Sequence, residues 1–393
     1  MRSLNYGRHL IEEDDIDLVV SVLRGDLITQ GPVVERFEAA LAEKVGAKYA
    51  VAVTSGTAAL HVACLAAGMK PGDIGITSAL TFVASANAML YCGARAEVCD
   101  INVDTLCMSP TALRGALRKH PEASVVIPVH FAGLAAHSSE IRKISGDRII
   151  IEDASHSLGA SYECGQPVGC GAYSDMTVFS FHPVKPITTG EGGAVVTNDP
   201  ELARLLRLYR SHGIERDDDR MENPEDLLEK GGRRPWYYEQ QLLGYNYRLT
   251  DIQAALGLSQ LGKLGHFINL RRDIVQLYDA ALTDLPNISI PQQSNSYRIN
   301  SGHHLYIIEL DFDKIGCSRL DVIHKLREYN VGTQVHYIPV YRQPFHSRRM
   351  KSAHDNFPNT ELYYRGCLSL PLFPGITATE VERVITAVRN VIL

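Results

Sequence analysis

No apolar run in this chain approaches the roughly 20 residues that a membrane-crossing helix requires, which leaves out a helical membrane protein. Basic residues are not in excess either: Lys and Arg number 39 against 45 Asp and Glu, a net charge of −6. A nucleic-acid-binding protein normally carries the opposite balance, so no such partner is expected. Cysteine is sparse and without pattern. The eight residues at 64, 92, 99, 107, 164, 170, 317 and 367 form no CxxC pair or other metal-ligand spacing, and no metal is expected. Scattered thiols fit a reducing cytoplasm; Cys164 and Cys170 could form a redox pair, the alternative being bystander thiols. A signal peptide is not expected either, because "MRSLNYGRHLIEEDDID" (1–17) has acids where its apolar stretch would lie. Neither a GxGxxG fingerprint nor a Walker loop occurs. Internal repeats and low-complexity tracts are absent too.

What is there is ordinary globular material, 45% hydrophobic and 21% charged. A chain of 393 residues exceeds what one core usually serves. Two domains are therefore expected, 1–265 and 266–393. Apolar spacing predicts helices over 10–24 and 33–45, then short apolar runs begin to alternate with helical stretches. "YAVAV" (49–53), "SVVIPVH" (124–130), "RIIIED" (148–153), "MTVFSF" (176–181) and "AVVT" (194–197) read as buried strands, and 57–69 as a helix. Such runs predict an α/β fold with a mostly parallel sheet covered on both faces. The charged stretch 216–234 reads as a solvated insertion, with a lid as the second reading. From about 265 the pattern becomes mixed, as in 303–312 and 318–331, and predicts a smaller α+β domain.

Chemistry concentrates in a few places. In "HPVKP" (182–186), His182 and Lys185 each precede a proline, which predicts a stiff, extended segment leaving the strand "MTVFSF". A fixed, partly desolvated lysine is what a Schiff base needs, since burial lowers its pKa; a snorkelling surface lysine fits the same letters. "TSGTAAL" (54–60) brings Gly56 and Thr57 to a helix start suited to phosphate, or to a hydroxyl cap with no ligand. Asp153 closes a buried strand, where α/β sheets gather ligands. It would pair with a cation such as a protonated pyridine nitrogen, or cap a helix. Phe82 in "TFVASANAML" (81–90) is free to stack on a flat ring or to fill the core. Asn246 and Arg248 precede an amphipathic helix in "GYNYRLTDIQAALG" (244–257). Together these pieces meet the needs of pyridoxal 5'-phosphate.

The same motifs, from "ITQGPVVERFE" (28–38) to "CLSLPLFPGIT" (367–377), resemble the DegT/DnrJ/StrS sugar-nucleotide aminotransferases over nearly the whole chain. The resemblance implies the aspartate-aminotransferase fold (fold type I), pyridoxal phosphate, L-glutamate as amino donor and a homodimer. It implies Lys185 as the cofactor-binding, proton-moving amine and Asp153 as the partner of the ring nitrogen. Phe82 would stack on the ring, Gly56, Thr57 and Ser180 would hold the phosphate, and Asn246 would reach it from the other subunit. His156 falls near the ring hydroxyl. Tyr6, Thr29, Gln30, Gly31, His182 and Tyr337 fall on the substrate side, Tyr337 contributed by the other chain. The wording "FHPVKPITTGEGG" (181–193) and "PWYYEQQLLGYNYRLTD" (235–251) is similar to the branch that aminates C4 of UDP-2-acetamido-2,6-dideoxy-β-L-arabino-hexos-4-ulose in pseudaminic acid biosynthesis. Other nucleotide-linked 4-keto-6-deoxy sugars, or a cofactor-binding regulator, are the alternatives. A dehydrase is disfavoured by Lys185, because that branch carries histidine there. Ile74, Gly75 and Ala79 depart from the family's usual letters and put the strand before Phe82 in doubt.

Overall fold

The computed structural model describes residues 2–293, 296–350 and 354–393. Seven strands form the main sheet: β1 (Tyr49–Val53), β2 (Ile74–Ser78), β3 (Arg95–Cys99), β4 (Val125–Ile127), β5 (Ile149–Asp153), β6 (Met176–Ser180) and β7 (Gly193–Thr197). They lie in the order β1-β7-β6-β5-β4-β2-β3. The pairings between β2 and β3, β2 and β4, β4 and β5, and β5 and β6 are parallel; β7 runs antiparallel to both its neighbours. β4 and β7 are buried throughout and β5 and β6 nearly so, which is why they read as unbroken apolar runs. Both faces are covered by apolar clusters, one around the helix Gly56–Ala66 and another around Pro32–Val45 and the start of the helix Asp251–Leu282.

β2 forms despite its unusual letters. All five residues are buried, and a Cβ on Gly75 would stand 2.2 Å from Met89 Sδ, so the glycine makes room for a core side chain. Ala79 extends the pairing, its N–H donating to Cys99 O at 2.9 Å. The segment 216–234 is largely exposed. It is tied down by Arg233 on Asp218 and by Glu239, which accepts the N–H groups of Glu222 and Asn223.

The helix Asp251–Leu282 starts in a capping box of Thr250 and Gln253. Its first half packs Ala254, Leu261 and Leu264 against the main sheet's cluster. Its second half gives Ile274, Val275, Tyr278 and Leu282 to a separate C-terminal cluster. The expected boundary near 265 thus falls inside one continuous helix. The C-terminal cluster covers a three-stranded antiparallel sheet of Ile288–Ser289, Tyr306–Leu310 and Cys367–Leu370. Leu4 belongs to it too, because the N-terminal segment runs back beside Val331. Among the described residues no helix is long and apolar enough to cross a membrane, and no His, Cys, Asp and Glu cluster could hold a metal. The eight cysteines, Cys164 and Cys170 included, are free.

Candidate active site

A cleft of about 810 Å³ opens at the carboxyl ends of β1, β5 and β6, lined by Gly56, Thr57, Asp153, Ser180 and Lys185 among others. One wall is a helix start. Ser55 is extended and its hydroxyl accepts the Ala58 N–H at 3.0 Å, which begins the helix Gly56–Ala66 with its positive end facing the cleft. Glycine is required here. A Cβ on Gly56 would lie 2.9 Å from Ser180 Cβ, and one on Gly193 would lie 2.6 Å from the Gly56 nitrogen. The helix start is therefore pressed onto the ends of β6 and β7, leaving a small cradle of backbone and hydroxyl groups suited to a phosphate.

Lys185 sits in the connection from β6 to β7. The segment is a turn rather than the extended stretch that its prolines suggest: Lys185 N–H donates to His182 O at 2.9 Å. The fixed φ of Pro183 suits the second position of a β-turn as well as it suits an extended chain. As a residue Lys185 is half-buried, since it lines the cleft, but its amine is surrounded by protein. Desolvation lowers its pKa to about 8, with the Asp153 carboxylate opposing. Near neutral pH a useful fraction of the amine is therefore free to act as a nucleophile.

Asp153 ends β5 with a carboxylate held in place. It accepts from Ser85 Oγ at 2.7 Å and from Ser155 N–H at 3.1 Å, and Thr81 Oγ1 lies 2.7 Å from Ser85 Oγ. No helix starts at Asp153, so its cap-like bond serves a local turn. Beside it in the strand, Glu152 is fully buried and faces Tyr162 Oη at 2.5 Å, Ser138 Oγ at 2.7 Å and Ser174 Oγ at 2.8 Å. Burial pushes its pKa up, but His130 and these donors more than offset that and hold it at about 2. This network anchors the end of β5, and with it Asp153.

Over the cleft, Phe82 is 57% exposed, a large apolar ring facing open space 5.9 Å from the Tyr337 ring. Tyr6 is pinned by its carbonyl, which accepts Leu372 N–H at 2.9 Å, and its ring meets His336 edge-on at 4.7 Å. His156, His182 and Tyr337 also line the cleft. Tyr337 lies in the cleft of its own chain, where it meets His156 at 3.1 Å; an origin in the other chain is thereby corrected. The reason is topological, as the C-terminal part folds back over the sheet edge. Four expected residues lie elsewhere. Thr29 bridges to Thr250, Gly31 N–H donates to Asp251, and Asn246 is exposed and bridges to Ser211. Gln30 and Gly31 line a second concavity of about 750 Å³ together with Arg210, Arg216 and Arg248. Sequence reasoning did not single out Ser85 or His336. Their only local signals are the Thr81–Ser85 helical spacing and the His-Tyr pair.

A phosphate cradle, a desolvated lysine, a fixed carboxylate and an exposed aromatic ring converge on one cleft of a mostly parallel sheet. The arrangement fits pyridoxal phosphate, and it defines a pyridoxal-phosphate-dependent transaminase of fold type I. The family model described as the DegT/DnrJ/EryC1/StrS aminotransferase family matches residues 9–389, and the chain belongs to that family. It is 36% identical over 392 residues to the spore coat polysaccharide biosynthesis protein SpsC of Bacillus subtilis, covering 99% of this chain and 97% of that one. The solved structure of Helicobacter pylori PseC, an aminotransferase involved in the biosynthesis of pseudoaminic acid, is similar with a TM-score of 0.87 at 29% identity. That match covers 100% of this chain and 99% of the other. Spr1654 from Streptococcus pneumoniae, described as a sugar aminotransferase and solved in its PLP form, gives a TM-score of 0.85 at 27% identity over 100% of both chains. The enzyme is thus a sugar aminotransferase that uses pyridoxal phosphate.

Proposed function

We propose that this enzyme moves the amino group of L-glutamate to C4 of UDP-2-acetamido-2,6-dideoxy-β-L-arabino-hexos-4-ulose, giving UDP-4-amino-4,6-dideoxy-N-acetyl-β-L-altrosamine. The observation that carries the reading is the end-to-end likeness to PseC, joined to a cleft in which Tyr6, His182 and Tyr337 stand around Lys185. The bound cofactor supplies an electron sink for charge at the carbon that loses its proton. The chain supplies the rest. Gly56, Thr57 and Ser180 hold the phosphate, Phe82 covers the ring face, and Asp153 keeps a proton on the ring nitrogen. Lys185 binds the cofactor and then carries protons at its amine. The reaction is assigned to the cytoplasm, the compartment that unpaired thiols favour.

The likeness to SpsC supports a second reading with another nucleotide-linked 4-keto sugar. Side-by-side kcat/KM measurements with glutamate and UDP-, dTDP- and GDP-linked 4-keto sugars separate the two. The L-arabino UDP sugar is expected to lead its D-xylo epimer by about 5–150-fold, since a pocket reading one methyl discriminates by about 1–3 kcal/mol. A clear preference for the D-xylo sugar, or for a dTDP or GDP sugar, moves the protein to the second reading.

The active unit is proposed to be a homodimer in which Asn246, Thr29, Gln30 and Gly31 of one copy complete the Lys185 cleft of the other. That none of the four lines the cleft of its own chain supports this, as does the exposure of Asn246. Mixing inactive Lys185→Ala chains with inactive Asn246→Asp chains is expected to restore about a quarter of the sites under random pairing in a two-fold dimer. Verified mixed dimers with no activity would show that the site is not shared.

A further inference from the structure

His156 and Tyr337 are 181 positions apart in the chain, and His156 Nε2 stands 3.1 Å from the Tyr337 hydroxyl. The other ring nitrogen is engaged from behind, where Nδ1 accepts the Ala132 N–H at 3.3 Å. Burial, with Lys185 and His336 adding to it, drives the His156 pKa well below its ordinary value, so the ring is neutral. A neutral imidazole carries one N–H. With Nδ1 accepting, that hydrogen is on Nε2, and His156 donates to the Tyr337 oxygen. The phenol is kept protonated, because burial raises its pKa. Its hydrogen is not used in the bond to His156 and is left for the cleft that Tyr337 lines.

The sheet order indicates what receives that hydrogen. β5, with Asp153, stands between β6 and β4. The cradle of Gly56, Thr57 and Ser180 lies on the β6, β7 and β1 side, whereas Ala132 follows β4 and holds His156 on the other side. In pyridoxal phosphate the carbons bearing the phosphate arm and the ring hydroxyl flank the axis from the ring nitrogen to C4 on opposite sides. With the nitrogen at Asp153 and the phosphate at Gly56, the ring hydroxyl faces the His156 side. The family resemblance puts His156 itself at that hydroxyl, but its one N–H is engaged by Tyr337.

We infer that the Tyr337 hydroxyl donates a hydrogen bond to the ring hydroxyl oxygen of the cofactor, and that His156 is a positioning residue fixing the direction of that bond. The inference rests on the family's cofactor chemistry and not on which keto sugar is used. Other groups face the pair: His304, whose ring centre is 4.4 Å from that of His156, and also Lys185, His336, Tyr6 and Asp153. They are unchanged in the variants below.

The test titrates the visible absorption band of the holoenzyme, loaded with pyridoxal phosphate, against pH with no sugar present. A bond donated to the ring oxygen favours the deprotonated, more negative form. Losing it moves the midpoint up by about one pH unit. Tyr337→Phe and His156→Leu are each expected to show that shift, and the double variant no more than either alone. His156→Gln is expected to keep the wild-type midpoint, because its amide can accept from Ala132 and donate to Tyr337. A wild-type midpoint in Tyr337→Phe, or additive shifts in the double variant, overturns the inference. Should His156→Leu fail to fold, the remaining pair decides: no shift in Tyr337→Phe, or a full shift in His156→Gln, overturns it.

Discussion

Lys185→Ala is expected to reduce turnover by about 10⁴-fold or more while leaving the fold intact, the loss being that of a positioned nucleophile and proton carrier. Several features of the site set this lysine apart within the chain. Its amine is desolvated, with a pKa of about 8. The turn that carries it is fixed by Pro183 and Pro186 and by the bond from its own N–H to His182 O. Beneath it, Arg271 reaches the Lys185 carbonyl at 3.4 Å. Alanine keeps the turn and the carbonyl, so cofactor held through the Gly56–Ser180 cradle should remain detectable. Turnover measured with saturating glutamate and keto sugar, beside a circular dichroism melt, checks this. Activity within tenfold of wild type in a folded variant would show that another amine does the work.

Asp153→Asn is expected to lower kcat on the order of 10³-fold, comparable to removing one preorganised electrostatic group from an active site. The amide is nearly isosteric with the carboxylate. Its oxygen can keep the Ser155 N–H, and the Ser85 hydroxyl can turn to accept from its nitrogen, so neither bond at Asp153 need be lost. What the amide cannot do is hold a proton on the ring nitrogen by opposite charge. The loss is confined to the reacting state, so kcat should fall with little change in KM for the keto sugar. Wild-type turnover in this variant would remove Asp153 from its proposed role.

Much of the frame is legible in the letters, and the reasons are local. β1, β4, β5, β6 and β7 are apolar runs because each is buried on both faces. β3 was not readable in that way. It is an edge strand, bonded only to β2, and the exposed Arg95 and half-buried Glu97 interrupt its apolar pattern. The lysine segment was legible in chemistry but not in shape, since proline restricts φ without choosing between a turn and an extended chain. Gly56 could be placed at a helix start from sequence. That Ser180 and Gly193 press against it could not, because the contact joins β1, β6 and β7, which are far apart in the chain.

The hardest features to read were side chains that act through partners distant in sequence. Ser85 meets Asp153 across 68 positions, and Tyr337 meets His156 across 181. Nothing in "TFVASANA" marks one serine as a carboxylate's partner. Nothing in "VHYIPVY" says that the tyrosine belongs to its own chain's cleft. The difference between two lysines, by contrast, is plain once the fold is known. Lys263 is bound to Glu12, Asp14 and Asp15, which raise its pKa, so it stays a protonated surface cation. Lys185 is the opposite case, desolvated and facing the cradle.

That contrast points to the most direct measurement. Borohydride reduction of the holoenzyme fixes the cofactor to whichever lysine carries it, and peptide mapping by mass spectrometry then locates it. The label is expected on the peptide containing Lys185 and to vanish with Lys185→Ala. A label on Lys263, or on any other lysine of the wild-type enzyme, would contradict the site described for this fold.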